Sequence, residues 1–126
     1  MVDVNTVFIC GNLTKDPTFK NVGENSLVCE FRIAVNKTWY DKEGRKQKKT
    51  CYIDVEAWNN IAAKCRNVLT KGSPVFIQGT IEYDSWTDKN TRTSNSRHYI
   101  KAEIINFFGD PRSLNNQKND SNENQF

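Results

Sequence analysis

Apolar and polar residues alternate most regularly between residues 27 and 36. The apolar residues occupy every second position there: Leu27, Cys29, Phe31, Ile33 and Val35. In an extended chain, side chains two residues apart lie on the same face, so these five residues share one face. Most of the polar side chains lie on the opposite face: Glu30, Arg32 and Asn36. This pattern predicts an antiparallel strand that is buried on one side.

A second alternating stretch runs from residue 49 to residue 58. Its apolar positions are Cys51, Ile53, Val55 and Ala57. The other face carries Tyr52, Asp54, Glu56 and Trp58. Two large aromatic residues on the polar face of a strand need an explanation. Either the rings pack beneath a loop or a neighbouring subunit, or they form a platform on which a ligand stacks.

Three further strands are predicted by runs of β-favouring residues. They cover residues 4–13, 73–86 and 98–108. Residues 84–97 are polar and predict a long hairpin loop, with Trp86 at its base. That tryptophan either anchors the loop or offers a second place for a ligand to stack.

One helix is predicted over residues 59–70, where apolar residues recur at helical spacing. Asn59 or Asn60 is expected to cap its start, because an asparagine side chain accepts a hydrogen bond from the first turn. Lys71 and Gly72 are expected to end it. The apolar stripe of this helix is expected to lie in the core.

The composition changes at Asp110, after which asparagine, glutamine, serine and charged residues dominate. Such a segment buries too little apolar surface to offset the entropy of ordering it. We therefore expect one folded domain over residues 1–109 and a disordered C-terminal tail over residues 110–126.

The predicted order is three strands, a helix and two strands. This is the element order of an all-β, five-stranded OB-fold barrel with one short helix between strands 3 and 4. Barrels of this kind present a strand face and flanking loops to oligonucleotides or oligosaccharides. The order of elements alone does not choose between these ligands.

Basic residues cluster between positions 37 and 49. Six basic and two acidic residues leave a net charge of +4 over these thirteen residues. Trp39 and Tyr40 come just before the predicted hairpin tip, and Tyr52 and Trp58 follow it. Cations attract a phosphate backbone, and exposed rings stack on bases, so we expect a surface for single-stranded nucleic acid. The alternative is a solvated turn whose aromatic residues belong to the core.

Candidate phosphate contacts are the basic residues of the two predicted hairpins. They are Lys37, Arg45, Lys46, Lys48, Lys49, Lys89 and Arg92. Asp54 and Glu56, on the same face as Tyr52 and Trp58, are expected to repel phosphate. Strict alternation from Val35 places Trp39 on the core side, so its exposure requires a bulge or a strand end between residues 36 and 39.

The remaining composition excludes several classes of protein. The four cysteines contain no Cys-x-x-Cys pair and the chain has one histidine, so we expect no structural metal site and no cofactor. No signal peptide or membrane span is apparent, and we expect the cysteines to be reduced core thiols in a cytoplasmic protein. There is no nucleophile–base pair, so we expect no catalytic residues. A magnesium cluster of Asp54, Glu56 and Asp84 is the weak enzymatic alternative.

Several motifs resemble bacterial single-stranded DNA-binding proteins. The sequence Val-Phe-Ile-Cys-Gly-Asn-Leu at 7–13 is followed by Asp16-Pro17, and Phe-Arg-Ile-Ala-Val at 31–35 leads to Trp39. Leu-Thr-Lys-Gly-Ser at 69–73 leads into Val-Phe-Ile-Gln-Gly at 75–79, and Trp-Thr-Asp follows at 86–88. The resemblance covers residues 4 to about 108 in the same order and spacing.

This resemblance implies a homotetramer of OB domains that binds single-stranded DNA without strong sequence preference. It implies a nucleoid-associated role in DNA replication, recombination and repair. Four aromatic residues match the family's base-stacking positions: Trp39, Tyr52, Trp58 and Trp86. Lys71 matches a basic position of the family. The family leaves regular strand geometry before Trp39.

The C-terminal tip of the family docks replication and repair proteins through acidic residues and a terminal phenylalanine. The matching residues here are Asp120, Glu123 and Phe126, without the family's proline and with few acids. Two related functions stay open. One is an OB-fold accessory protein of primosome assembly and replication restart, and the other is a single-stranded RNA binder.

Overall fold

The computed structural model describes residues 1–108. They form six strands and one helix: β1 Val7–Leu13, β2 Thr18–Val22, β3 Ser26–Tyr40, β4 Lys46–Trp58, α1 Asn59–Arg66, β5 Pro74–Thr87 and β6 Ser94–Phe107. The expected disordered tail over residues 110–126, and with it the boundary at residue 109, lies outside the described residues.

Five of the strands close into a barrel. The sheet order is β1-β5-β6-β4-β3, and a second pairing of β1 with β3 closes the ring. β4 and β6 pair in parallel at Val55–Ile100 and Glu56–Lys101, whereas the other neighbouring strands are antiparallel. The predicted five-stranded barrel with one short helix is confirmed.

β2 is the strand that the sequence analysis missed. It pairs only with β3 and lies outside the closed ring, so the helix follows the fourth strand of the chain rather than the third. Only Phe19 of its five residues is half-buried. Since an edge strand of this length buries almost nothing, it leaves no apolar alternation in the sequence.

The inward-facing residues of the barrel form one core. The residues predicted to face inward on β3 and β4 belong to this core or pack against it, apart from Cys51. The largest buried side chains include Ile33, Val55, Val75 and Ile77. Within residues 1–108, every buried side-chain nitrogen or oxygen has a hydrogen-bond partner. The core thus combines close apolar packing with satisfied polar groups.

Helix α1 is shorter than predicted and is capped differently. It ends at Arg66, and residue 58 occupies the N-cap position without a side-chain hydrogen bond. Asn59 has a positive φ of 53° and its Oδ1 accepts a hydrogen bond from the Leu27 N–H at 3.1 Å. The predicted asparagine cap is therefore wrong, because Asn59 satisfies the start of β3 instead. No helix within residues 1–108 is long and apolar enough to cross a membrane.

All four cysteines are free, but only two of them belong to the core. Cys29 and Cys65 are buried, whereas Cys10 and Cys51 are exposed. The prediction that all four are core thiols is wrong for the exposed pair. Cys51 was assigned to the core by alternation on β4, but at this point the strand is leaving the barrel.

Gly79 lies where β5 passes unusually close to β6. The register between the two strands shifts between Gln78 and Gly79. A Cβ atom on Gly79 would lie 2.2 Å from the carbonyl oxygen of Lys101. Since that neighbour is backbone, a larger residue would push the strands apart. The bulge at Gly79 therefore depends on the absence of a side chain there.

We expect the Gly79→Ala substitution to cost more than about 3 kcal/mol of unfolding free energy, because the new methyl group meets backbone. The measurement is urea denaturation followed by far-ultraviolet circular dichroism. Gly44→Ala is the matched control: Gly44 has a φ of +79° and open space around it, so strain alone should cost about 1 kcal/mol. Equal losses in the two variants would contradict a close approach at Gly79.

Candidate nucleic-acid interface

The hairpin of β3 and β4 extends past the end of the barrel. Its strands pair in continuous register from Lys37 opposite Lys49 to Tyr40 opposite Lys46. The break expected before Trp39, from both the alternation and the resemblance, is therefore absent from this hairpin. Trp39 is 41% exposed because the hairpin here has left the barrel and no strand covers either face.

The two faces of this projecting hairpin carry different aromatic residues. Trp39 pairs with Gln47 and shares its face with Lys37 and Lys49. By the two-residue period, the opposite face carries the next set. It comprises Tyr40, Lys46, Lys48 and Tyr52. The four predicted stacking residues therefore do not form a single platform, because Trp39 faces away from the others.

Three of the predicted stacking residues lie on the outer wall of the barrel. Tyr52 lies opposite Ala34 and Trp58 lies opposite Val28 on β3, and both aromatic rings are on the outer face of the sheet. By the two-residue period, Trp86 shares the outer side of the sheet with Phe76 and Gln78, but it lies on the part of β5 that pairs only with β6 and is exposed on both faces. Tyr52 is 61% exposed and Trp86 is 48% exposed, whereas Trp58 is half-buried. Exposed faces of these rings are available for stacking.

Asp41 organises the turn of the β3–β4 hairpin. Its carboxylate accepts hydrogen bonds from the backbone N–H groups of Arg45 at 2.8 Å and Glu43 at 3.0 Å, and from Gln47 Nε2 at 3.0 Å. The Arg45 N–H is the main cause that holds the pKa of Asp41 below its usual value. Gly44 supplies the positive φ that the turn requires.

Arg45 differs from the four lysines predicted to contact phosphate in the hairpin. Its guanidinium lies 3.2 Å from both Asp41 and Glu43. The four lysines form no salt bridge with any residue of the described chain: Lys37, Lys46, Lys48 and Lys49. They are all exposed. The charge of the lysines is thus open to an external anion, whereas that of Arg45 is partly satisfied within the turn.

Lys89 and Arg92 lie at the tip of the β5–β6 hairpin, a few residues after Trp86 in the sequence. The predicted loop over residues 84–97 is shorter than expected and spans residues 88–93, because β5 and β6 continue to pair up to Thr87–Ser94. Asp88 Oδ1 accepts the Asn90 N–H at 2.8 Å and Asp88 O accepts the Arg92 N–H at 2.7 Å. Trp86 therefore lies within the strand ladder and not in a loop.

The acidic residues on the outer wall are paired with arginines. Asp54 lies 2.8 Å from Arg32 Nε and 4.0 Å from Arg97 Nη1, and Glu56 lies 3.6 Å from Arg97 Nη2. From the sequence, both acids are expected to repel phosphate. Two arginines balance two carboxylates here, so the expected repulsion is largely cancelled by the pairing.

Arg97 and Lys101 are the residues of this wall that the sequence analysis missed. Arg97 Cζ lies 4.6 Å from the centroid of the Tyr99 ring, and Lys101 Nζ lies 5.7 Å from that of Trp58. Lys101 is opposite Glu56 in the parallel pairing of β4 with β6. That pairing joins residues 45 positions apart, so no local pattern indicates it.

Lys71 lies on neither hairpin. It follows α1, its backbone N–H donates to Asp16 Oδ1 at 2.7 Å and its side chain is exposed. The expected partner-docking residues Asp120, Glu123 and Phe126 lie outside the described part of the chain.

A separate apolar surface lies across β1, β5 and β6. Phe8 is 64% exposed and stacks with Phe76 at a centroid distance of 6.3 Å. Ile104 and Phe108 are also about half exposed, at 47% and 50%. These four residues, Phe8, Phe76, Ile104 and Phe108, are called the β1 face, and partly exposed apolar residues grouped in this way are typical of protein interfaces.

Within residues 1–108, no group of three or more histidine, cysteine, aspartate or glutamate residues is placed to hold a metal ion. Of the three acids in the magnesium alternative, Asp54 and Glu56 form salt bridges with Arg32 and Arg97, and Asp84 lies opposite Arg97 on β6. The arrangement supports binding by rings and charges.

Comparison with known proteins agrees with this geometry. Residues 4–108 match the profile of the Single-strand binding protein family. Single-stranded DNA-binding protein 2 of Chlorobaculum tepidum is 38% identical over 108 residues, which cover 85% of this chain and 72% of that relative. Single-stranded DNA-binding protein 1 of Synechocystis is 30% identical over 111 residues, 88% of each chain.

Two solved structures share the fold. A deletion mutant of the single-stranded DNA binding protein from Thermus aquaticus superposes with a TM-score of 0.72 and 25% identity, over 83% of this chain and 50% of that one. The Plasmodium falciparum SSB in complex with ssDNA superposes with a TM-score of 0.75 and 20% identity, over 86% of this chain and 97% of that one. The matched profile, the relatives and the barrel agree, and the chain belongs to the single-strand binding protein family.

Proposed function

We propose that this protein binds single-stranded DNA without sequence preference, and that it thereby protects and organises the strand during replication, recombination and repair. The observation that carries the proposal is the outer side of the sheet, which carries Tyr52, Trp58 and Trp86. It is flanked by hairpin lysines that form no salt bridge within residues 1–108. Family membership supports it. Binding involves no chemical step, so the protein is not an enzyme.

The aromatic residues provide stacking that tolerates any base. Every base has a π face, so stacking on Tyr52, Trp58 or Trp86 does not depend on sequence. A duplex hides those faces, which gives a preference for single strands. Because Trp39 lies on the other face of the β3–β4 hairpin, one strand that reaches all four rings has to pass around the edge of that hairpin.

The lysines of the projecting hairpin provide the phosphate contacts. Lys37 lies directly opposite Lys49, and like charges in that position repel each other. A phosphate placed between them relieves the repulsion and releases counterions from the DNA. Lys46 and Lys48 supply charge on the other face. Lys89, Arg92, Lys71 and Arg45 add further contacts, with Arg45 weakened by its acidic neighbours.

We infer that the protein assembles with copies of itself. The β1 face carries Phe8, Phe76, Ile104 and Phe108 on the side away from Tyr52 and Trp58, and apolar patches of this kind mark protein interfaces. A homotetramer is the proposed state. Replication and repair proteins are proposed to contact the tail through Asp120, Glu123 and Phe126, and the proposed location is the cytoplasm, at the nucleoid.

The first test is a titration of intrinsic tryptophan fluorescence with oligo-dT at low and high salt. We expect strong quenching by the single strand, because bases stack on tryptophan. Added salt should weaken the affinity. A duplex of the same length is the control and should quench weakly. No quenching of the folded protein at low salt would contradict the stacking proposal, and tighter binding of oligo-U than of oligo-dT would favour an RNA-binding function.

We expect Lys49→Gln to stabilise the protein and to weaken its binding to DNA. Loss of the like-charge pair with Lys37 should raise the urea midpoint. Loss of one phosphate contact should lower the slope of log affinity against log salt by about 0.7. Lys64→Gln on α1 is the control and should leave the salt slope unchanged. A Lys49→Gln variant with the parental slope would remove this lysine from the interface.

We expect Phe8→Glu to produce a smaller species than the parent protein in sedimentation equilibrium, because a charge within the β1 face cannot be buried between subunits. The control is Val22→Glu, which places the same charge on an exposed apolar position of β2 and should leave the mass unchanged. A monomeric parent, or a Phe8→Glu variant with the parental mass, would contradict assembly through this face.

A further inference from the structure

Trp58 differs from the other stacking candidates because its ring is held by the protein. Its indole Nε1 donates a hydrogen bond to Glu56 Oε1. The two residues lie two positions apart on β4, so their side chains emerge from the same face. Trp86 and Trp39 have no side-chain hydrogen bond to any residue of the described chain.

Glu56 is itself held in place. Its side chain is 11% exposed, and a carboxylate so covered requires partners for its charge. One oxygen accepts the Trp58 N–H, and the other lies 3.6 Å from Arg97 Nη2. Arg97 in turn lies over the Tyr99 ring and reaches Asp54. The carboxylate is therefore fixed between a cation from β6 and the indole from β4.

The environment of Glu56 also explains why a carboxylate occurs beside a DNA-binding ring. Pairing with Arg97 cancels most of the repulsion between Glu56 and phosphate, but electrostatics gives no advantage to a carboxylate at this point. The geometry gives it a compensating effect. An indole held by its N–H loses less rotational freedom when a base stacks on it, and such preorganisation strengthens binding.

We infer that Glu56 is a positioning residue for DNA binding: through its hydrogen bond it fixes the Trp58 ring in the orientation that accepts a base, and Arg97 fixes Glu56. This inference rests on the proposed function. Lys101, 43 positions away on the neighbouring strand β6, places its Nζ 5.7 Å from the centroid of the same ring and gives the ring a second contact.

The first arm of the test needs no DNA. The chain has three tryptophans, so the Trp39→Phe/Trp86→Phe variant retains Trp58 alone. Time-resolved fluorescence anisotropy then reports the mobility of this indole. We expect little fast motion in this variant and a clear fast component when Glu56→Met is added. Glu103→Met is the matched control, since it removes an exposed carboxylate from β6 by the same substitution, and it should leave the indole immobile.

The second arm measures affinity for oligo-dT with the other tryptophans present. Removal of a negative charge by itself predicts tighter binding. We expect Glu56→Met to bind more weakly instead, by about twofold to tenfold, the range that corresponds to the entropy of immobilising one side chain. Trp58→Phe keeps a ring but lacks the N–H, so in this background Glu56→Met should no longer weaken binding.

The outcomes separate this inference from the proposed function. Failure of the parent protein to bind oligo-dT would overturn the proposed function. A parent that binds, with a Glu56→Met variant that binds as tightly or more tightly, would overturn the positioning role alone. So would an immobile indole in Glu56→Met, or a weakening that persists in the Trp58→Phe background. Circular dichroism and the urea midpoint of each variant establish that it is folded. If Glu56→Met weakens binding only by destabilising the protein, it weakens binding equally in the Trp58→Phe background.

Discussion

Closure of the barrel is the constraint on which the rest of this structure depends. β1 pairs with both β5 and β3, and this double pairing turns a sheet into a ring with an inside and an outside. Since inward and outward side chains alternate along each strand, every second side chain of the ring lies on its outer surface. Tyr52 and Trp58 face outward for that reason, whereas Trp86 lies on the part of β5 beyond the ring. These outward rings do not reduce the packing of the core, because aliphatic side chains fill the inward positions of the same strands.

Charge is distributed differently on the two regions of the proposed binding surface. On the barrel wall, Asp54 and Glu56 are matched by Arg32 and Arg97, so the wall is close to neutral and its rings determine what it binds. On the projecting hairpin, the lysines have no acidic partners among residues 1–108. Arg45, in the turn, is paired with two acids. The wall is therefore suited to bases, and the hairpin is suited to the backbone.

The projecting hairpin also shows how function can oppose stability. Lys37 and Lys49 face each other across two strands that no other element covers. Such a pair is unfavourable in the free protein and becomes favourable when an anion lies between the two ammonium groups. Glu56 is the converse case in our inference, because an acid beside the proposed binding surface orients a ring.

The sequence by itself determined the barrel, because alternation at residues 27–36 and 49–58 records which side chains are buried, and burial is what drives strand formation. It also determined the candidate rings, since large aromatics on a polar face are rare without a cause. Alternation also placed Trp39 on the face opposite to Tyr52. Only the tertiary structure decided why Trp39 is exposed without a break in the strand, because the paired hairpin has left the barrel at that point. It decided the role of Asn59, whose side chain accepts a hydrogen bond from the backbone of β3. It also decided the length of the 88–93 loop, because pairing between β5 and β6 orders polar residues that have no local preference for a strand. Arg97 and Lys101 meet Glu56 and Trp58 only through the parallel contact of β4 with β6, and a contact between residues so far apart in the chain leaves no local signal in the sequence.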